Sequence, residues 1–274
     1  MKAANFELEQ SPSLNEALQA LANGAGMARA RAGGQSLVPM LNLRLAPVES
    51  LVDLSRIAEL KKVEEKTDSV LYGAMLRHAD FEDGRVPDCA RGLLRHAAGQ
   101  IAYRAVRNRG TMGGALALAD PAADWLTVCS ALAARIHLAS VDGTRAMPIE
   151  EFAVGPYMTA LQENELLVAI ELPKLSEGAR WGYYKVMRKT GEYADAFSIA
   201  VQDRGALRIV AGATDGAPIV LEQSAQAVLA NAAGADLAQV VEQELAAAGR
   251  EFSAAKALLH KTAVLRAIDD LRKK

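Results

Sequence analysis

Two glycine doublets, 80 residues apart, constrain this chain more than any other feature. The first lies in Ala32-Gly33-Gly34-Gln35-Ser36-Leu37-Val38-Pro39, behind the small-residue run Ala28-Arg29-Ala30-Arg31. The second lies in Arg107-Asn108-Arg109-Gly110-Thr111-Met112-Gly113-Gly114-Ala115, followed closely by Ala119-Asp120-Pro121-Ala122-Ala123-Asp124. Glycine adopts positive φ and puts no Cβ between the main chain and a ligand. Successive amides in such a turn form an anion-binding concavity. A dinucleotide pyrophosphate carries two negative groups that need many oriented donors, so the pair points to a flavin or nicotinamide dinucleotide. A glycine doublet alone also serves as a tight strand-to-helix turn without a ligand. No G-x-G-x-x-G opens a helix, so the doubly wound dinucleotide fold is not expected.

Around the loops the pattern alternates short strands and helices. Ser13 and Glu16 predict a capped helix over residues 11–22, with Leu14, Ala17, Leu18 and Leu21 on one face. A strand near 28–32 then runs into the first glycine loop, and Leu51–Leu54 and Val70–Gly73 read as further strands. A helix over 88–98 precedes the second loop, and Pro121 suits the start of another. Arg135–Ser140 is strand-like before the turn Val141-Asp142-Gly143-Thr144, and Leu166–Leu172 is a stronger strand stopped by Pro173. The polar stretch Lys174–Arg180 predicts a boundary, giving residues 1–175 and 176–274 as two domains. Beyond it, strands near 182–187, 197–202 and 206–213 precede alanine-rich helices, the last from about Ser253.

Composition narrows the function. A net charge of −2 gives no electrostatic case for nucleic acid, and 5% aromatic content argues against a base-stacking platform. No run approaches the roughly 18 apolar residues of a membrane span, and the N-terminus has no signal-peptide core, so a cytoplasmic protein is expected. Cys89 and Cys129 are too few for a cluster or a structural zinc and read as reduced thiols. His78, His96, His137 and His260 lack metal-ligand spacing, so no metal site is expected and each reads as a surface or core histidine. Asp120 and Asp124 double as helix-cap candidates. Arg107 and Arg109 flank the second loop as solvated or anion-attracting side chains.

The extended phrases Ala32–Leu45 and Val106–Gly114, with Ala119–Asp124, resemble the FAD-binding (medium) subunit of molybdenum hydroxylases, the xanthine dehydrogenase and carbon monoxide dehydrogenase family. The resemblance covers essentially the whole chain. It implies an α+β fold: a two-subdomain FAD-binding domain of the PCMH type, divided near residue 55, then a smaller C-terminal domain with a three-stranded antiparallel sheet and helices. It implies an FAD pyrophosphate between the loops, bound by Ala32, Gly33, Gly34, Gln35, Ser36 and Leu37 on one side and by Thr111, Met112, Gly113, Gly114 and Ala115 on the other. Ile101, Asp120, Asp124, Leu161 and Lys185 match further FAD contacts, and Tyr193 is the candidate for packing near the ring. Gln35 and Leu118 stand where many relatives carry histidine.

No catalytic triad or carboxylate pair emerges, and outer-sphere electron transfer requires none. The implied role is to take electrons from 2Fe-2S clusters of a small partner subunit and pass them to NAD, oxygen or a quinone. Substrate chemistry would belong to a large molybdenum-cofactor subunit, in a dimer of heterotrimers. The other readings are a self-sufficient flavin oxidase or dehydrogenase and a flavin-free assembly scaffold.

Overall fold

In the computed structural model, which describes residues 2–232 and 234–274, the chain begins with a small parallel sheet. Its strands β1 (Glu7–Gln10), β2 (Ala28–Arg31) and β3 (Ser50–Asp53) lie in the order β1-β3-β2. Parallel neighbours need crossovers, and α1 (Leu14–Asn23) and α2 (Leu37–Asn42) supply them. Ser13 caps α1 by accepting the Glu16 amide at 3.3 Å. The Glu16 carboxylate takes the Ser13 hydroxyl at 2.9 Å, not the backbone amide that a full capping box would use. Ala17, Leu18 and Leu21 are buried, as the spacing predicts.

A five-stranded antiparallel sheet follows, ordered β4-β5-β10-β6-β7. It joins β4 (Val63–Glu65), β5 (Ser69–Gly73), β6 (Arg135–Ser140), β7 (Gly143–Pro148) and β10 (Leu166–Pro173), while β8 (Ala153–Gly155) and β9 (Met158–Thr159) make a separate hairpin. Five helices separate β5 from β6: α3 (His78–Glu82), α4 (Leu93–Gly99), α5 (Arg104–Arg107), α6 (Met112–Leu118) and α7 (Asp124–Ala131). The short α8 (Ile149–Phe152) follows β7. Two of these helices start later than the sequence predicts. Asp88 accepts the amides of Ala90 and Arg95 and holds a turn that delays α4. Asp120 accepts the Ala122 amide at 3.0 Å, so Pro121 lies in a turn before α7 and not at its first position.

The last sheet is antiparallel, with β11 (Arg180–Val186), β12 (Ala196–Asp203), β13 (Ala206–Gly212) and β14 (Ile219–Val220) in sequential order. It therefore has four strands where three were expected. The fourth spans two residues, too few to show alternation. Helices α9 (Glu222–Leu229), α10 (Gly234–Ala247) and α11 (Ala254–Lys273) complete the described chain. Among the described residues, no helix is long and apolar enough to cross a membrane.

The alternation of β12 and β13 divides the core. Phe197, Ile199, Val201 and Val210 join the cluster built on Trp125 of α7, while Ala200, Ile209 and Ala211 face α10 and α11. All eight residues of α7 are buried. Close approach demands glycine at two points. A Cβ on Gly212 would lie 1.9 Å from Thr127 Oγ1, and one on Gly182 would lie 1.8 Å from the Ala267 carbonyl oxygen.

Candidate functional site

The two glycine phrases meet in space. Residues 32–36 connect β2 to α2, and residues 108–111 connect α5 to α6. A Cβ on Gly33 would lie 2.2 Å from the Arg109 carbonyl oxygen and 2.8 Å from the Gly110 Cα. A Cβ on Gly114 would lie 2.8 Å from Thr111 Oγ1 and 3.2 Å from the Ala32 Cβ. Only glycine allows the segments to press together this closely.

The first phrase supplies free donors. Among the described residues, none of the six backbone amides from Ala32 through Leu37 has a hydrogen-bond partner in the protein. Gly34 has φ +73°, which turns the chain there. The Ser36 hydroxyl caps nothing, and Gln35 folds its side-chain amide back to the Gly33 carbonyl at 3.4 Å. A row of amides left without internal partners is the donor set that a pyrophosphate requires.

The second phrase behaves differently from the expectation. Met112 and Gly113 donate to the carbonyls of Leu76 and Ala74, Gly114 to Thr111 Oγ1 and Ala115 to the Thr111 carbonyl, at 2.9–3.1 Å. These four amides already serve the start of α6 and its junction with β5. Thr111 keeps an unpartnered amide. The second doublet therefore contributes a close-packed wall, with Gly113 set against Ala74 and Gly114 against Ala32.

His78 locks this wall. Its amide donates to Gly110 O at 3.0 Å, and its Nδ1 accepts the Trp125 indole N–H at 2.9 Å. Burial, aided by the Arg107 charge, pushes its imidazole down to about 4, so it is neutral near pH 7 and Nε2 carries the proton. Sequence spacing gave no signal for this role. Arg107 is engaged by the Glu82 carboxylate and by the carbonyls of Ile101 and Ala102, so it is not a free anion receptor. At the end of β2, Arg31 Nη2 meets Asp53 Oδ2 at 2.5 Å, and the other Asp53 oxygen accepts the Ser55 amide. Burial pushes the Asp53 carboxyl up, but the hydrogen bonds from Ser55 and Arg31 outweigh it and hold the group below its ordinary value.

The remaining expected residues form a second group. Lys185 Nζ lies 2.8 and 3.1 Å from the two Asp124 oxygens and 3.4 Å from the Gln100 carbonyl, next to the half-buried Ile101. The Tyr183 hydroxyl donates to Asp124 at 3.2 Å. Both charged side chains are almost fully enclosed, and burial raises the Asp124 carboxyl against the attraction of Lys185. Neither group is presented to a ligand, because each satisfies the other. Leu161 packs half-buried against the central core. Tyr193 is exposed and, with Tyr157, neighbours Asp120. An open cleft of about 540 Å³ runs from Asp120 and Tyr157 to Lys256 on α11. Among the described residues, no cluster of histidine, cysteine or carboxylate could hold a metal ion, and Cys89 and Cys129 are free thiols.

Residues 4–175 match the family model described as the FAD binding domain in molybdopterin dehydrogenase. The chain belongs to this family of FAD-binding domains. It is 39% identical over 191 residues to the carbon monoxide dehydrogenase medium chain of Hydrogenophaga pseudoflava, covering 70% of this chain and 67% of that one. It is 38% identical to the glyceraldehyde dehydrogenase medium chain of Sulfolobus acidocaldarius over 75% of this chain and 73% of that one. Carbon monoxide dehydrogenase from H. pseudoflava that lacks the Mo-pyranopterin moiety superposes with a TM-score of 0.92 at 33% identity, covering 100% of this chain and 99% of that one. Quinoline 2-oxidoreductase from Pseudomonas putida 86 gives 0.90 at 30% identity, over the same shares of the two chains. As a member, the chain is an FAD-binding oxidoreductase component with a mixed helix and sheet fold. The cofactor suits the geometry, because six amides without protein partners adjoin a glycine-lined wall.

Proposed function

We propose that this chain is the FAD-carrying electron-transfer subunit of a molybdenum-containing hydroxylase or dehydrogenase. One observation carries the reading: the unpartnered amides of residues 32–37 lie against Gly110 and Gly114. Ala32 through Leu37 donate to the pyrophosphate, with the Ser36 hydroxyl as an added donor. Thr111 through Ala115 close the other side, through the Thr111 amide and the glycine surfaces. Unpaired phosphate charge in a poorly solvated cleft is prohibitive, so the donors decide whether the cofactor stays. Ile101 and Leu161 supply apolar contact, and Tyr193 with Asp120 stands where the ring is reached. Asp124 and Lys185 brace that region through their buried pair. Residues 1–175 hold most of these groups, and residues 176–274 add Lys185 and Tyr193.

When bound, FAD supplies a ring that accepts and releases electrons singly or in pairs. The chain's residues bind and orient it and need perform no acid–base chemistry. Relatives named as medium chains support a large molybdenum-cofactor subunit and a small 2Fe-2S subunit as partners. The terminal acceptor is NAD, oxygen or a quinone.

The test is flavin content. The complex purified with its partner chains is expected to show flavin absorbance, and a flavin-free yet active complex would overturn the proposal. Gly33→Val forces the loops apart, because its Cβ would clash with the Arg109 carbonyl. Its expected effect is loss of most bound FAD, with a smaller change in the unfolding temperature.

A further inference from the structure

We propose that Arg31 is a cofactor-binding residue, a cation aimed by Asp53 at the rim of the amide cradle, where it takes an oxygen of the FAD pyrophosphate. This deepens the cradle reading above and rests on it.

The placement comes from the end of β2. Arg31 is its last residue, so the guanidinium leaves the sheet where the free amides begin. Gly34, at the turn, has Arg31 Nη1 3.5 Å from where its Cβ would be. The guanidinium therefore lies alongside the cradle within one contact distance. Its Nη2 is held by Asp53, a residue 1% exposed whose other oxygen is fixed by the Ser55 amide. Nη1 and Nε have no partner among the described residues. Nη2 is thus anchored, and Nη1, the nitrogen nearest the turn, keeps its donors for a charge-assisted hydrogen bond to a phosphate oxygen.

The charge requirement is otherwise unmet. Amides are neutral donors, whereas a pyrophosphate is dianionic. Arg29 shares a face of β2 with Arg31 but lies two residues further from the turn and is exposed, while Arg107 is neutralised by Glu82. Arg109 contributes its carbonyl to the Gly33 contact and leaves its side chain in solvent. Arg31 alone among these is both immobilised and adjacent to the turn, with its side chain 16% exposed. A cation held there loses little freedom on binding.

The competing account is that Arg31 only neutralises Asp53. Removing Arg31 alone leaves a buried carboxylate unpaired, which destabilises the fold under either account. The decisive comparison is therefore Arg31→Met against the double variant Arg31→Met with Asp53→Asn, in the full-length chain. FAD affinity of the deflavinated protein is measured by quenching of flavin fluorescence at several salt concentrations, beside thermal melts of the flavin-free protein. The single variant is expected to bind FAD about tenfold more weakly or worse. The double variant should regain the melting temperature while remaining weak, with a flatter salt dependence than wild type. Double-variant affinity within twofold of wild type overturns the proposal. Gly33→Val separates the two readings. If that variant keeps FAD, the cradle reading fails. If it loses FAD while the double variant keeps it, only the role of Arg31 fails.

Discussion

His78 joins the site to the core at the scale of one side chain. Its folded imidazole resists protonation until about pH 4, whereas the unfolded one titrates near 6.5. The unfolded state therefore binds more protons between those values, and stability is present above 6.5 and falls as pH drops through the window. Each pH unit within it costs about 1.4 kcal/mol per such group. His260, also buried and pushed down to about 4 by burial, acts in the same window. Replacing His78 with Asn, which can still accept the Trp125 N–H, should remove about half of this histidine slope. Urea unfolding at intervals from pH 7 to 4.5 measures it, and an unchanged slope would count against the account. Single residues were the least legible part of the site. Gly33 and Gly34 stand in a phrase that declares itself. Arg31 and His78 acquire their roles from Asp53 and Trp125, 22 and 47 residues away, with no local pattern to mark either pair.

At the scale of elements, the hydrophobic pattern was more informative. The predicted strand over 166–172 became β10, extended only through Pro173, and the predicted 135–140 strand is β6. Alternation and turn residues act locally, so they were visible. Helix starts were displaced where a carboxylate formed a turn first, as Asp88 does before α4 and Asp120 before α7. The second glycine phrase was readable as important but not as to cause, because its amides are claimed by the carbonyls of Ala74 and Leu76 on a distant segment. The same distinction governs Gly182 in β11, where the partner is α11. Ala at 182 would place a methyl inside the Ala267 carbonyl contact and push the helix off the sheet. A loss of about 1–3 kcal/mol is expected. Chemical denaturation of the full chain tests it, and FAD affinity at the remote cradle should stay near the wild-type value.

Across the whole molecule, α7 governs how far any part of the chain stands alone. A sequence boundary near 175 is reasonable from the polar stretch Lys174–Arg180, and the family match ends at the same residue. The buried cluster does not end there. Trp125, Leu126 and Val128 of α7 share it with Phe197, Ile199 and Val201 of β12 and with Val210 of β13. Asp124 is paired with Lys185 across the same junction. A chain cut after residue 175 would expose the face of α7 that β12 and β13 cover and leave the Asp124 carboxylate without its cation. Uncovering Trp125, Leu126 and Val128 costs up to about 1.5–3 kcal/mol each, comparable in sum to the stability of a typical domain. The 1–175 fragment is therefore expected to retain helical circular dichroism, bind a hydrophobic dye and unfold without a cooperative transition. Adding the 176–274 fragment in trans should restore cooperativity if the shared core is the cause. A fragment that melts cooperatively alone would show that α7 is sufficiently packed by the five-stranded sheet, and would make the C-terminal sheet a cover for the site and not a part of its foundation.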